Sequence, residues 1–143
     1  FEFVRINLSS FPRIIPIGTL LKMVSSSNFC SSNNSLFFLL HAHQPLFESD
    51  PLSLLHTSVN RKTRDGKIVG KSNKISVEQG LKSLTINAAW QIKMENKIGS
   101  IKPGKYADFV ILDQNPMMVD PEKIKDIHVL QTIVNGNIVY KKD

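Results

Sequence analysis

KIGSIKPGKYADFVILDQNP, residues 97–116, is the stretch on which the fold turns. Pro103-Gly104 is a turn signature, because proline presets φ at the first central position and glycine accepts positive φ at the second. Ile98 to Lys105 reads as a short extended piece closed by that turn. After it, Ala107-Asp108-Phe109-Val110-Ile111-Leu112-Asp113 is rich in β-favouring apolar residues and reads as a buried strand.

Downstream, Gln114 to Lys125 is a loop with a turn of helix after Asp120-Pro121. Val129 to Val134, the pair Asn135-Gly136 and Asn137 to Tyr140 then form a hairpin, since Asn-Gly suits the two-residue turn that matches strand twist. Upstream, the period changes from two to about 3.6. Ser76 is an N-cap with Gln79 as its capping-box partner and Glu78 at the positive end of the dipole. Val77, Leu81, Leu84, Ala88 and Ile92 follow as one buried stripe of a single helix over 76–92.

Before that helix, Arg61 to Asn73 is a polar surface loop. Asp50 as N-cap and Pro51 at the first position open a helix through Leu52, Leu55 and Val59. Leu36 to Leu40 lacks alternation, as a strand buried on both faces of a parallel sheet does. The Ser- and Asn-rich run from Ser25 to Ser35 buries little and reads as a loop or insert. Ile17 to Val24 carries the spacing of a short helix.

Composition bounds the function. The 143 residues are 41% hydrophobic, enough for the core of one ordinary domain. The single cysteine, Cys30, excludes an internal disulfide and a multi-cysteine zinc site, and no helix start or adjacent base marks it as reactive. A reducing, cytoplasmic setting is the expectation. The net charge of +6 comes from 18 basic and 12 acidic residues spread along the chain, which reads as solvated faces rather than a nucleic-acid surface. No apolar run is long enough to span a membrane. The chain opens on Phe1, which fits either processing or a piece of a longer protein.

Three blocks, ISVEQGLKSLTINAAW (75–90), the opening stretch, and IKDIHVLQTIVNGNIVY (124–140), together resemble the C-terminal end of the metal-dependent amidohydrolases, in the branch of the N-substituted formamide deformylase-like enzymes. The resemblance runs from about His41 to Tyr140. It implies an α/β fold: a C-terminal fragment of a distorted (β/α)8 barrel followed by C-terminal strands of a small β-sandwich. On that reading residues 1–95 are the end of the barrel, with its last strand at 36–41 and the helix at 76–92, and residues 96–143 belong to the sandwich.

The chemistry implied is hydrolysis of a carbon–nitrogen bond in an amide or formamide, assisted by one or two divalent ions, usually zinc. Barrel active sites lie at the C-terminal ends of strands, where His41 and His43 fall. Two residues apart on a strand, both imidazoles share a face and can converge on one ion. Similar family members carry His-Ser-Asp-Ala-Pro here; matching His41 and Pro45 to that block places His43 on the catalytic aspartate. His43 is thus the catalytic candidate, and His41 and His43 are the metal candidates. Two readings stand for the pair: a metal site within a complete assembly, or polar residues at a strand end.

The family's remaining ligands come from segments this chain lacks, so the resemblance implies a catalytically incompetent chain that holds no metal alone, because zinc needs three or four protein ligands. His56, on the helix after Pro51, and His128, in a strand-like run, read as ordinary packed or surface histidines. Asp108 reads as a turn or strand-end hydrogen-bond acceptor, Asp50 as a cap, and Glu48 stands where no catalytic group is expected. The expected partner is a small amide substrate, with neither nucleic acid nor membrane. The alternative is a non-catalytic scaffold that associates through exposed barrel edges.

Overall fold

In the computed structural model, the residues described are Phe3–Val4, as backbone, with 40, 50–63 and 65–143. All belong to one compact unit, Phe1–Asn7 with Phe38–Asp143. They form a mixture of short helices and a small antiparallel sheet. Of the strand expected at 36–41 only Leu40 is described, and the elements expected at 17–24 and 25–35 lie outside the described residues.

Helix α1, Pro51–Asn60, begins as its sequence dictates. Asp50 accepts from the backbone N–H groups of Leu52 and Ser53 at 3.0 and 3.1 Å, and Pro51 starts the helix. It ends at Arg61, in the left-handed region, whose N–H returns to Thr57 O at 2.8 Å. Leu52, Leu55 and Val59 are buried, three and four residues apart on one face. Asn60 ties the helix to the 3₁₀ segment Pro121–Asp126 by donating from Nδ2 to Pro121 O at 2.8 Å.

Helix α2, Val77–Leu84, has the expected capping box: Gln79 N–H donates to Ser76 Oγ at 3.1 Å, and Ser76 N–H donates to Gln79 Oε1 at 2.9 Å. The single helix expected over 76–92 is corrected. It breaks at Thr85, φ −121° and ψ −94°, and a second helix, α3, runs over Ile86–Gln91. The break lies where Gly99 packs against the helix, since a Cβ there would sit 3.0 Å from Ile86 Cα and 3.1 Å from Thr85 O. Thr85 Oγ1 donates to Leu81 O at 2.7 Å, while the Thr85 N–H turns to Lys82 O at 3.2 Å. The stripe therefore rotates: Asn87 and Ala89 are buried on α3, while Ile92 is 41% exposed.

The extended piece expected at 98–105 is also corrected. Residues 95–100 form turns, with Lys97 and Ile98 N–H both donating to Met94 O. The half-buried Lys105 holds that loop from within: its Nζ donates to Ile98 O at 3.2 Å, to Ser100 Oγ at 2.6 Å and to Glu95 O. One ammonium, with three protons to donate, thereby satisfies three loop oxygens.

The sheet runs in the order β1 (Phe3–Val4), β2 (Phe109–Leu112), β3 (Val129–Val134), β4 (Asn137–Lys141), every pairing antiparallel. β2 alternates half-buried and buried residues, so one of its faces meets the core. Val110 and Leu112 pack with Leu52 and Ile127; Leu55, Val59, Leu84 and Ile124 form a second cluster; Val119 touches both. α1 thus carries the sheet on Leu52 and the other helices on Leu55 and Val59. Register shifts at Ile111/Leu112 and at Thr132/Ile133 bend β3 against its neighbours.

Candidate functional site

His41 and His43, the residues singled out for metal binding and catalysis, lie outside the described residues, as does Glu48. Leu40 and Asp50, on either side of 41–49, are described. Leu40 packs on the cluster of Leu55, Val59, Leu84 and Ile124, and Asp50 is committed to capping α1.

The remaining histidines each sit beside one carboxylate. His56, whose side chain is 15% exposed, places Nε2 at 3.8 Å from Glu122 Oε2, with no hydrogen-bond partner for that nitrogen. Lys62 Nζ contacts the other carboxyl oxygen of Glu122 at 2.8 Å. The hydrogen bond from Lys62 holds the Glu122 carboxyl below the usual range, with the Lys62 and His56 charges acting in the same direction. Nothing local in the sequence brings His56, Lys62 and Glu122 together; Lys62 and Glu122 stand 60 residues apart.

A pH dependence follows from the sign of that shift. A carboxyl whose folded pKa is depressed contributes stability above its unfolded pKa and loses it as pH falls through the folded value. Glu122→Gln is expected to remove part of the acid-side loss of stability, read as a flatter dependence of the urea midpoint on pH below the ordinary carboxylate range. Because Glu122 is exposed, the effect is small.

His128 is 60% exposed and clamps the β2–β3 connection with Asp113: its N–H donates to Oδ1 at 2.9 Å and its Nδ1 lies 3.2 Å from Oδ2, while Asp113 N–H donates to His128 O at 3.0 Å. Asp108 is 5% exposed and accepts from Asn135 N–H at 2.7 Å, the strand-end role its position suggests. Among the described residues no three His, Cys, Asp or Glu side chains come together. This donor set does not fit a divalent ion, so no chemical step is assigned to it. Nor is any helix of the described residues long and apolar enough to cross a membrane.

Capped helices on an antiparallel sheet are consistent with the class that the three sequence blocks suggest. The sequence profile of the amidohydrolase family matches residues 45–140, and the chain belongs to that family. It is 32% identical to YtcJ of Bacillus subtilis (strain 168) over 101 residues, which is 68% of this chain and 19% of that protein. It is 27% identical to N-substituted formamide deformylase of Arthrobacter pascens over 103 residues, 72% of this chain and 19% of that enzyme. It is 34% identical to Protein LONG AFTER FAR-RED 3 of Arabidopsis thaliana over 113 residues, 76% of this chain and 18% of that protein. The matched part of this chain spans about a fifth of each relative's length.

Proposed function

We infer that this chain is the C-terminal portion of a metal-dependent hydrolase acting on carbon–nitrogen bonds of small amides or formamides, and that residues 1–143 alone are catalytically incompetent. The match of residues 45–140 to the amidohydrolase family carries the reading of reaction class. Incompetence rests on donor arithmetic. The chain has four histidines; His56 faces Glu122 and His128 faces Asp113, on separate elements. Among the described residues no three His, Cys, Asp or Glu side chains come together, and the family resemblance supplies only His41 and His43 where zinc takes three or four ligands. When bound, a divalent ion in such enzymes polarises the carbonyl and acidifies a water molecule. On this reading residues 96–143 belong to the sandwich, and residues 1–95 to the end of the barrel.

The described residues would contribute support rather than chemistry: Leu40, packed on the core, and Asp50, capping α1, flank the segment that bears His41 and His43. The experiment is an assay of the purified chain with added zinc and N-substituted formamides. No hydrolysis above a metal-only blank is expected, and turnover above it would overturn incompetence. The reaction class is tested by exchanging residues 45–140 for the matched segment of the Arthrobacter pascens enzyme. Retained formamide hydrolysis supports the reading; a folded, metal-loaded but inactive chimera would count against it.

A non-catalytic, partner-binding module is the second reading. It is favoured by β4, where Ile138, Val139 and Tyr140 are 59%, 62% and 49% exposed in succession. Sedimentation bears on it: concentration-dependent self-association supports the module, and a compact monomer throughout argues against association.

A further inference from the structure

The hairpin turn between β3 and β4 holds the only Asn-Gly pair in the sequence, Asn135-Gly136. Asn-Gly is the dipeptide most open to intramolecular attack, because glycine leaves the following amide nitrogen unhindered. Here both residues are exposed and both have positive φ, 50° and 81°. Both amides are also engaged. Asn135 N–H donates to Oδ1 of the buried Asp108 at 2.7 Å, and Gly136 N–H donates to Ala107 O at 2.9 Å. The corner that leads into β2 thus holds, by two successive residues, the two amides of a turn 27 positions further along the chain.

We propose that Asn135 is a site of spontaneous deamidation gated by the Ala107–Asp108 corner, so that the modification records opening of the sheet. In the reaction the Gly136 N–H gives its proton to solvent base, and the nitrogen forms a bond to Asn135 Cγ. The Cγ–Nδ2 bond breaks, and the nitrogen leaves as ammonia after taking a proton from solvent. Water then opens the succinimide at either carbonyl, yielding aspartate or isoaspartate at residue 135. The folded turn opposes the first step in two ways. The attacking N–H is bound to Ala107 O, and the bond from Asn135 N–H to Asp108 restricts the rotation that would bring Cγ to the nitrogen. Reaction therefore proceeds through the fraction of molecules in which the corner has let go of the turn.

The product does not return to the same turn. Isoaspartate carries the chain through its side-chain carbon and adds a backbone methylene, which a two-residue turn between paired strands cannot absorb without shifting register. Opening followed by deamidation is therefore a one-way step for the hairpin.

The test incubates the purified chain at mildly alkaline pH, folded and in urea, and follows conversion of residue 135 by peptide mass spectrometry. Fragmentation separates it from Asn137, and Asn115-Pro116 is an internal reference because proline has no N–H to attack with. Conversion in the folded chain is expected to be slower than in urea by about tenfold or more, since only the opened fraction reacts. Asp108→Ala, with unchanged circular dichroism, is expected to raise the folded-state rate about threefold or more by removing one of the two restraints. Equal rates in the folded and urea-treated wild-type chain would overturn the gate, as would a folded Asp108→Ala chain that converts no faster than wild type. Should Asp108→Ala fail to fold, the wild-type comparison decides alone.

Discussion

Gly99→Ala is expected to destabilise the chain by about 3 kcal/mol, roughly half from backbone conformation and the rest from steric conflict. Gly99 has φ +82°, a region in which a Cβ meets its own backbone. The new Cβ would also lie 2.7 Å from Ala89 Cβ, 3.0 Å from Ile86 Cα and 3.1 Å from Thr85 O. Two of those three atoms are backbone, so no rotamer change relieves them. Gly104→Ala is the control. Its φ is +84°, yet nothing lies within 4 Å of the added carbon, and a loss of about 1 kcal/mol is expected. Urea midpoints at unchanged slope give both values. Equal losses at the two positions would mean that the approach of residue 99 to the 85–86 break carries no energy.

Leu55→Ala is expected to cost about 3–5 kcal/mol, the range for truncating a fully buried leucine whose site cannot collapse. Leu55 is 0% exposed in the cluster with Val59, Leu84 and Ile124. It is overlaid by α2 at Gly80, where an added Cβ would sit 2.3 Å from Leu55 Cδ1. That glycine is what lets α2 rest on α1, and it brings no side chain to fill a void. A double-mutant cycle follows. Gly80→Ala alone should destabilise by about 1–3 kcal/mol through overpacking. In the Leu55→Ala background the same methyl group enters the cavity and gains helix propensity, so its effect should change sign or vanish. Additive losses in the double variant would show that the two positions do not meet.

The parts of this fold that are legible in the sequence are those decided within a few residues. Asp50-Pro51 opens α1 and Ser76 and Gln79 open α2, because donor and acceptor lie within four positions of one another, and Asn135-Gly136 closes the hairpin because both residues take the positive φ the turn needs. The helix break is illegible for the opposite reason. The spacing from Val77 to Ile92 is regular, and the residue that accommodates the break, Gly99, stands beyond the end of the pattern. Lys105 looks like one more surface lysine until the 95–100 loop turns back over its ammonium.

The candidate site divides in the same way. His41 and His43 stand out by their spacing and by the family blocks downstream, while their geometry lies outside the described residues. The grouping of His56, Lys62 and Glu122 was missed, since no periodicity relates residue 62 to residue 122. Asp108 could be read as a hydrogen-bond acceptor from its place at a strand end, but its donor could not.

By itself the sequence determined the family, through the order and spacing of three blocks, the starts of the helices, through short-range hydrogen bonding, and the turn of the hairpin, through the backbone preference of Asn-Gly. The tertiary structure decided where α2 stops, which face of α3 is buried, what Lys105 and Asp108 hold, and which carboxylate each described histidine meets. The physical reason is range. Caps are satisfied by neighbours in the chain and the turn by the φ preference of its own two residues, whereas close approach at Gly80 and Gly99 and the pairing of distant polar groups exist only once separate segments are packed together.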